Sequence, residues 1–151
     1  LLASPAWAQV NRAGGRDAQR ADEWAPGTFM AQALGRVTEL ARRIAESEDV
    51  GLVRGTTCFL GALMDPGEKI SMVYELQAGQ TYVFVAAADE DAGDVDLHVL
   101  DSAGEMLEQD IELDPTPIVV FTPAKTGKYT MTLEMADAEI ASFAAVAVLR
   151  K

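Results

Sequence analysis

The spacing of apolar residues changes once along this chain, near Gly51, and that change limits the folds open to it. Between Met30 and Ile44 the apolar side chains Met30, Ala33, Leu34, Val37, Leu40, Ala41 and Ile44 recur at steps of three and four, the spacing of one face of an α-helix. After Gly51 the step becomes two. It runs through Ile70, Met72, Tyr74 and Leu76, through Tyr82, Phe84 and Ala86, and through Val95, Leu97 and Val99; Tyr129, Met131 and Leu133 follow, then Phe143, Ala145, Ala147 and Leu149. Alternate residues of an extended chain share a face, so each run reads as a strand with one side turned to a core.

Between these runs stand Asp65-Pro66-Gly67, Ala78-Gly79-Gln80, Ala92-Gly93-Asp94, Ser102-Ala103-Gly104 and Thr126-Gly127-Lys128, turn sequences built on glycine and proline. No helix-length pattern interrupts them, which removes the crossover that parallel strands need. The expected fold is therefore mainly β, an antiparallel, jelly-roll-like β-sandwich of about eight strands, preceded by one amphipathic α-helix. The expected division is a signal-peptide remnant over 1–8, a flexible arm over 9–27, the helix within 28–50 and the sandwich over 51–151.

Thr28 is the expected cap of a helix over 29–47. Its apolar stripe has two destinations, the domain's own sheet or a helix of another chain in a homo-oligomer. Asp65 to Lys69 is expected to close the first hairpin and Asp101 to Gly104 the central one. Pro115 and Pro117 flank Ile118 to Phe121 and place that strand at an edge. The last strand is apolar on both faces, which predicts a central position with the helix as one cover.

At 151 residues, with 49% hydrophobic and 24% charged side chains, the chain can bury a core without disulfides. Cys58 is its only cysteine, so no intramolecular disulfide forms, and its apolar setting predicts a buried, inert thiol. The net charge is −12, from 24 acidic and 12 basic residues; up to Val50 there are 7 and 6, which leaves 17 and 6 beyond it. Such a field repels nucleic acid and favours cations or a basic surface as partners. Leu1 to Gln9, with Ala6 and Ala8 at small-residue positions, reads as the end of a secretory signal and predicts a periplasmic or secreted protein. No run reaches the roughly 20 apolar residues of a membrane span. Trp24, alone in a polar stretch, packs on the domain surface or marks a partner contact.

Taken in order, Phe59 to Leu63 with Asp65-Pro66-Gly67, Leu76-Gln77-Ala78-Gly79-Gln80-Thr81-Tyr82, Asp94-Val95-Asp96-Leu97, Asp101-Ser102-Ala103-Gly104 and Thr126-Gly127-Lys128-Tyr129 resemble the bacterial pre-peptidase C-terminal domain. The resemblance runs from Thr57 to Leu149. It implies a small jelly-roll-like sandwich without catalytic residues, related to collagen-binding domains, some of which bind calcium. In this sequence a helix stands directly ahead of the module, and it lies outside the resemblance.

Acidic residues are densest over Asp89-Glu90-Asp91-Ala92-Gly93-Asp94-Val95-Asp96. Carboxylates two and three residues apart around a glycine suit the oxygen-rich shell of Ca²⁺. Asp91, Asp94 and Asp96 are the expected ligands, although the spacing is not that of an EF-hand and a solvated charge run is the plainer reading. Asp94, Asp96 and His98 also share a face if the alternation holds, a pattern open to a transition metal. Nucleophilic catalysis would have to draw on His98, the sole histidine, and no nucleophile motif lies near it. Tyr129 reads as structural, with its ring in the core and its hydroxyl on nearby backbone, and the six methionines read as core filler. The function expected from the sequence is a non-catalytic, exported binding or interaction module of the cell envelope, stabilised by calcium if the acidic loop is a site. The alternatives are a carbohydrate- or matrix-binding domain, which requires an exposed aromatic platform, and a small carboxylate-dependent hydrolase.

Overall fold

The computed structural model describes residues 27–151; the expected signal-peptide remnant, Trp24 and all but the last residue of the expected arm lie outside the described residues. One helix, α1 (Thr28–Glu48), precedes eight strands: β1 (Phe59–Met64), β2 (Lys69–Leu76), β3 (Tyr82–Ala88), β4 (Ala92–Leu100), β5 (Met106–Asp110), β6 (Ile118–Phe121), β7 (Gly127–Ala138) and β8 (Ser142–Arg150). They form two four-stranded sheets, ordered β1-β8-β3-β6 and β2-β7-β4-β5. Every strand pairing is antiparallel. This strand order is that of a jelly roll, in which successive strands mostly alternate between the two sheets.

The sandwich interior takes one face of each sheet. Phe84, Ala86, Ala144 and Val146 come from the first sheet, and Leu76, Val95, Leu97, Val99, Met131, Leu133 and Met135 from the second. The inward parity read for β2, β4 and β7 is the parity observed. In β3 the alternation covers only half of the burial, because Val83, Val85 and Ala87 on the opposite face are buried too. Helix α1 is the reason. Ala33 and Val37, both 0% exposed, pack with Leu34, Leu40 and Ala41 on Ala87, Ala145, Ala147 and Phe143, while Val50 joins Val83, Val85 and Leu149 with Ile44 and Ala45 alongside. The alanines of the sheet let the helix come close, and its stripe ends on the protein's own sheet.

The helix begins differently from the expectation. Gly27, at φ 88°, is its cap residue, Thr28 is already helical and no side chain caps the first turn. Arg36 instead ties α1 to the end of β3, its Nη1 donating to the carbonyls of Ala88 and Asp89, each at 2.9 Å. Strand β8 lies between β1 and β3, buried on both faces, and β6 is an edge strand as its prolines imply. The Asp65–Lys69 turn is not a hairpin. Its flanking strands belong to different sheets, and an arch between sheets uses the same proline and glycine geometry as a tight turn. The Asp101 turn does join a paired hairpin, β4 with β5.

Tyr129 donates from its hydroxyl to the carbonyl of Lys125 at 2.7 Å, and its ring meets Phe121 edge-on with centroids 5.4 Å apart. Met64, Met131 and Met135 fill the core, whereas Met30 and Met106 are exposed.

Candidate functional site

Two surfaces draw together side chains that packing alone does not explain. The first is the outer face of the second sheet. Because Val95, Leu97 and Val99 point into the core, Asp94, Asp96 and His98 point out of it. Strand β7 contributes Glu134 to the same face, since its neighbours Leu133 and Met135 are core residues. In the strand register Glu134 stands opposite Asp96 on one side and Lys69 on the other.

Lys69 Nζ lies 2.6 Å from Glu134 Oε2, and His98 Nε2 lies 3.5 Å from the same oxygen. One ligand atom from each of Asp96, His98 and Glu134 falls within 4.8 Å of the other two. Asp94 is 9% exposed, and its Oδ1, like His98 Nδ1, is buried without a hydrogen-bond partner. Burial raises the Asp96 carboxyl above its ordinary value; the negative charges of Asp94 and Glu134 push the same way, against His98 and Lys69. The register of β4 on β7 shifts on both sides of Asp94, and such bulges re-aim side chains locally.

The structure thus places two of the three expected ligands, Asp94 and Asp96, on this face. Asp91 sits apart in the β3–β4 turn, its N–H bonded to Asp89 Oδ1 at 3.1 Å and its carbonyl accepting from Glu139 at 3.1 Å. Strand β4 already begins at Ala92, so Asp94 and Asp96 are strand residues and only Asp89, Glu90 and Asp91 lie in the turn. Glu134 was not singled out by the sequence. The alternation of β7 does put it on the outer face, but its meeting with Asp96 depends on a strand register that spans the fold.

The second surface is the edge where β5 runs into β6. Among the described residues ten large hydrophobic side chains are exposed, and six of them, Met106, Leu107, Ile111, Leu113, Ile118 and Val120, lie in this one stretch. Leu113 is 90% exposed. The connecting loop is nonetheless well tied. Asp110 Oδ2 accepts the Ile118 N–H at 2.8 Å and so joins the loop's two ends; Asp114 Oδ1 accepts the N–H and hydroxyl of Thr116 at 2.6 and 2.8 Å. Its backbone then reaches both sheets. The Asp114 carbonyl accepts from Val95, and those of Pro115 and Pro117 accept from Ala88 and Ala86. From Glu105 to Val120 the chain carries five acidic residues and no basic one.

Cys58 is half-buried rather than buried. It lines a groove of about 430 Å³ between α1 and β1, with Ala41, Ala45, Leu52 and Phe59. The Tyr74 hydroxyl is pushed up to about 12, mainly by burial and then by Cys58. Cys58 stands just ahead of β1 of the first sheet, whereas His98 lies on β4 of the second.

The chain matches no protein-family model and no curated protein sequence. Among solved structures it is similar to the crystal structure of Aeromonas hydrophila PliG, a periplasmic lysozyme inhibitor of g-type lysozyme. That similarity covers 66% of this chain and 91% of the other at 13% identity, with a TM-score of 0.48.

Proposed function

We propose that this protein is a non-catalytic, exported binding module of the cell envelope whose β5–β6 edge docks a basic protein. The observation that carries the reading is the concentration of exposed apolar side chains along β5, β6 and the hydrogen-bonded loop between them, with an acidic surround. Hydrophobic residues exposed singly are ordinary on a protein surface, whereas a clustered patch rimmed by polar groups is what a partner surface presents. Ile111 and Leu113 supply the apolar centre. Glu108, Glu112 and the neighbouring aspartates supply a field that steers a positively charged partner and repels an acidic one. The loop's bonds to both sheets hold this surface in shape before binding, which lowers the ordering cost of association.

Export is supported by the signal-like pattern of Leu1 to Gln9. The non-catalytic reading is supported by the placement of Cys58 ahead of β1 of the first sheet and of His98 on β4 of the second. The resemblance to pre-peptidase C-terminal domains fits the same role. A carbohydrate platform is the weaker reading, since Phe59 is the one aromatic residue among the large side chains exposed in the described residues.

Photo-crosslinking from position 113 in envelope extracts, with position 73 on the second sheet as control, tests the proposal. The expected result is one basic protein, identified by mass spectrometry, crosslinked from 113 and not from 73. The purified partner should then bind the intact chain by calorimetry, lose affinity as salt rises and fail to bind Leu113→Asp. Equal capture from both positions, or binding indifferent to Leu113→Asp, overturns the assignment.

A further inference from the structure

The side chains on the outer face of the second sheet do not take part in the proposed docking edge, and their chemistry points elsewhere. We propose that this face holds a divalent transition-type cation, Zn²⁺ by its ligand preference, between a carboxylate oxygen of Asp96, an imidazole nitrogen of His98 and a carboxylate oxygen of Glu134. Ligands of a tetrahedral zinc, at about 2.0–2.2 Å from the metal, stand about 3.3–3.6 Å from one another. His98 Nε2 and Glu134 Oε2 are already 3.5 Å apart. The full set lies within 4.8 Å, a gap that side-chain rotation can close. All three residues project from adjacent central strands, so the backbone holds them in register.

A purely structural account makes Glu134 the partner of Lys69 and nothing more. That account leaves Asp94 Oδ1 and His98 Nδ1 buried without hydrogen bonds, next to carboxylates gathered around a single ammonium group. Buried acceptors without donors are costly, and a cation on Asp96, His98 and Glu134 offsets the negative charge of Asp94, which acts directly on Asp96. Asp94, nine-tenths buried, adds its negative charge beside the three ligands. Lys69 is 54% exposed at its side chain and sits on an edge strand, so it can swing away as the cation arrives.

The imidazole sets the class of ion. Calcium takes oxygen ligands, six to eight of them, whereas a nitrogen together with two carboxylates suits Zn²⁺ and its neighbours. The open coordination positions would be taken by water.

The test uses the intact chain and ZnCl₂ alone. Calorimetry should find one Zn²⁺ per chain, with affinity reduced at least about tenfold in Glu134→Gln and in His98→Asn, and increased in Lys69→Gln. Because His98 is the only histidine, its ring resonances in the wild-type protein report coordination without any substitution, and they should shift on Zn²⁺ and broaden on Co²⁺. Zinc that saturates the chain while the ring stays unmoved overturns the proposal, as does the absence of saturable binding. Calcium binding that survives His98→Asn, with no response to zinc, also overturns it and assigns the ion to Asp91, Asp94 and Asp96 instead.

Discussion

Asp89 and Phe143 are bonded to each other twice: the N–H of Asp89 donates to the carbonyl of Phe143 at 3.0 Å, and Asp89 Oδ2 accepts the N–H of Phe143 at 2.7 Å. The pair locks the end of β3 to the start of β8. Asp89 is 1% exposed, so solvent cannot replace its carboxylate as acceptor. Asp89→Ala should cost about 1–3 kcal/mol, the price of leaving the Phe143 amide unsatisfied, read as a lower urea midpoint with unchanged slope.

The same carboxyl makes stability depend on pH in a definite direction. Burial raises Asp89 above the ordinary 3.8, although the amides of Phe143 and Asp91 pull against that shift. An acid whose folded value is raised holds its proton more tightly in the native state. Its stabilising contribution is therefore complete below 3.8 and is lost as pH climbs through the raised native value. The stability difference between wild type and Asp89→Asn, followed by thermal melting, should shift against the wild type across that window and level off above it. A difference that moves in favour of the wild type as pH rises would contradict the burial argument.

Val37 is 0% exposed beneath α1, and its neighbours belong to the first sheet. Val37→Ala should cost about 1–3 kcal/mol from lost packing and a partly collapsed cavity. Val37→Asp should lower the melting temperature of the entire described fold in one transition, because helix and sheet share that layer. A helix that melts separately, with the β signal intact, would show that α1 is an accessory.

Ile111 and Leu113 give the opposite expectation. Both are exposed, at 52% and 90%, so Ile111→Asp and Leu113→Asp should change stability by no more than about 0.5 kcal/mol. A large loss in chemical denaturation would mean that the loop's apolar residues serve the core and not a partner.

Asp110 separates loop shape from loop chemistry. Its Oδ2 holds the Ile118 N–H and closes the loop. Asp110→Ala should leave Ile111 and Leu113 in place in the sequence yet loosen the loop. Faster amide exchange at Ile118 is the measurement, with the rest of β6 less affected.

Much of the architecture could be read from side-chain spacing because burial acts on each strand separately. Ile70, Met72, Tyr74 and Leu76 face inward whichever strand lies beside them, and the two apolar faces of β8 foretold its central place. What spacing cannot supply is which strand is the neighbour. Asp65-Pro66-Gly67 makes the same bend in a hairpin and in an arch between sheets, so local chemistry pointed to the wrong partner for β2. The candidate metal site divides in the same way. Asp94, Asp96 and His98 share a face by local geometry, whereas Glu134 joins them through a register that only the assembled sheet fixes. Val83, Val85 and Ala87 show a further gap. Their burial comes from a helix more than thirty residues earlier in the chain, and a continuous apolar run does not say what covers its second side.

Placing β8 between β1 and β3, with α1 across it, has a temporal consequence. The last of the described elements is the one that the first of them need before they can settle. Until Ser142 to Arg150 are available, β1 has no strand to pair with and the helix lacks half of its floor. Such long-range closure slows folding, because the contacts that β8 makes with β1 and α1 span most of the described chain and the entropy of closing that loop is spent before they form.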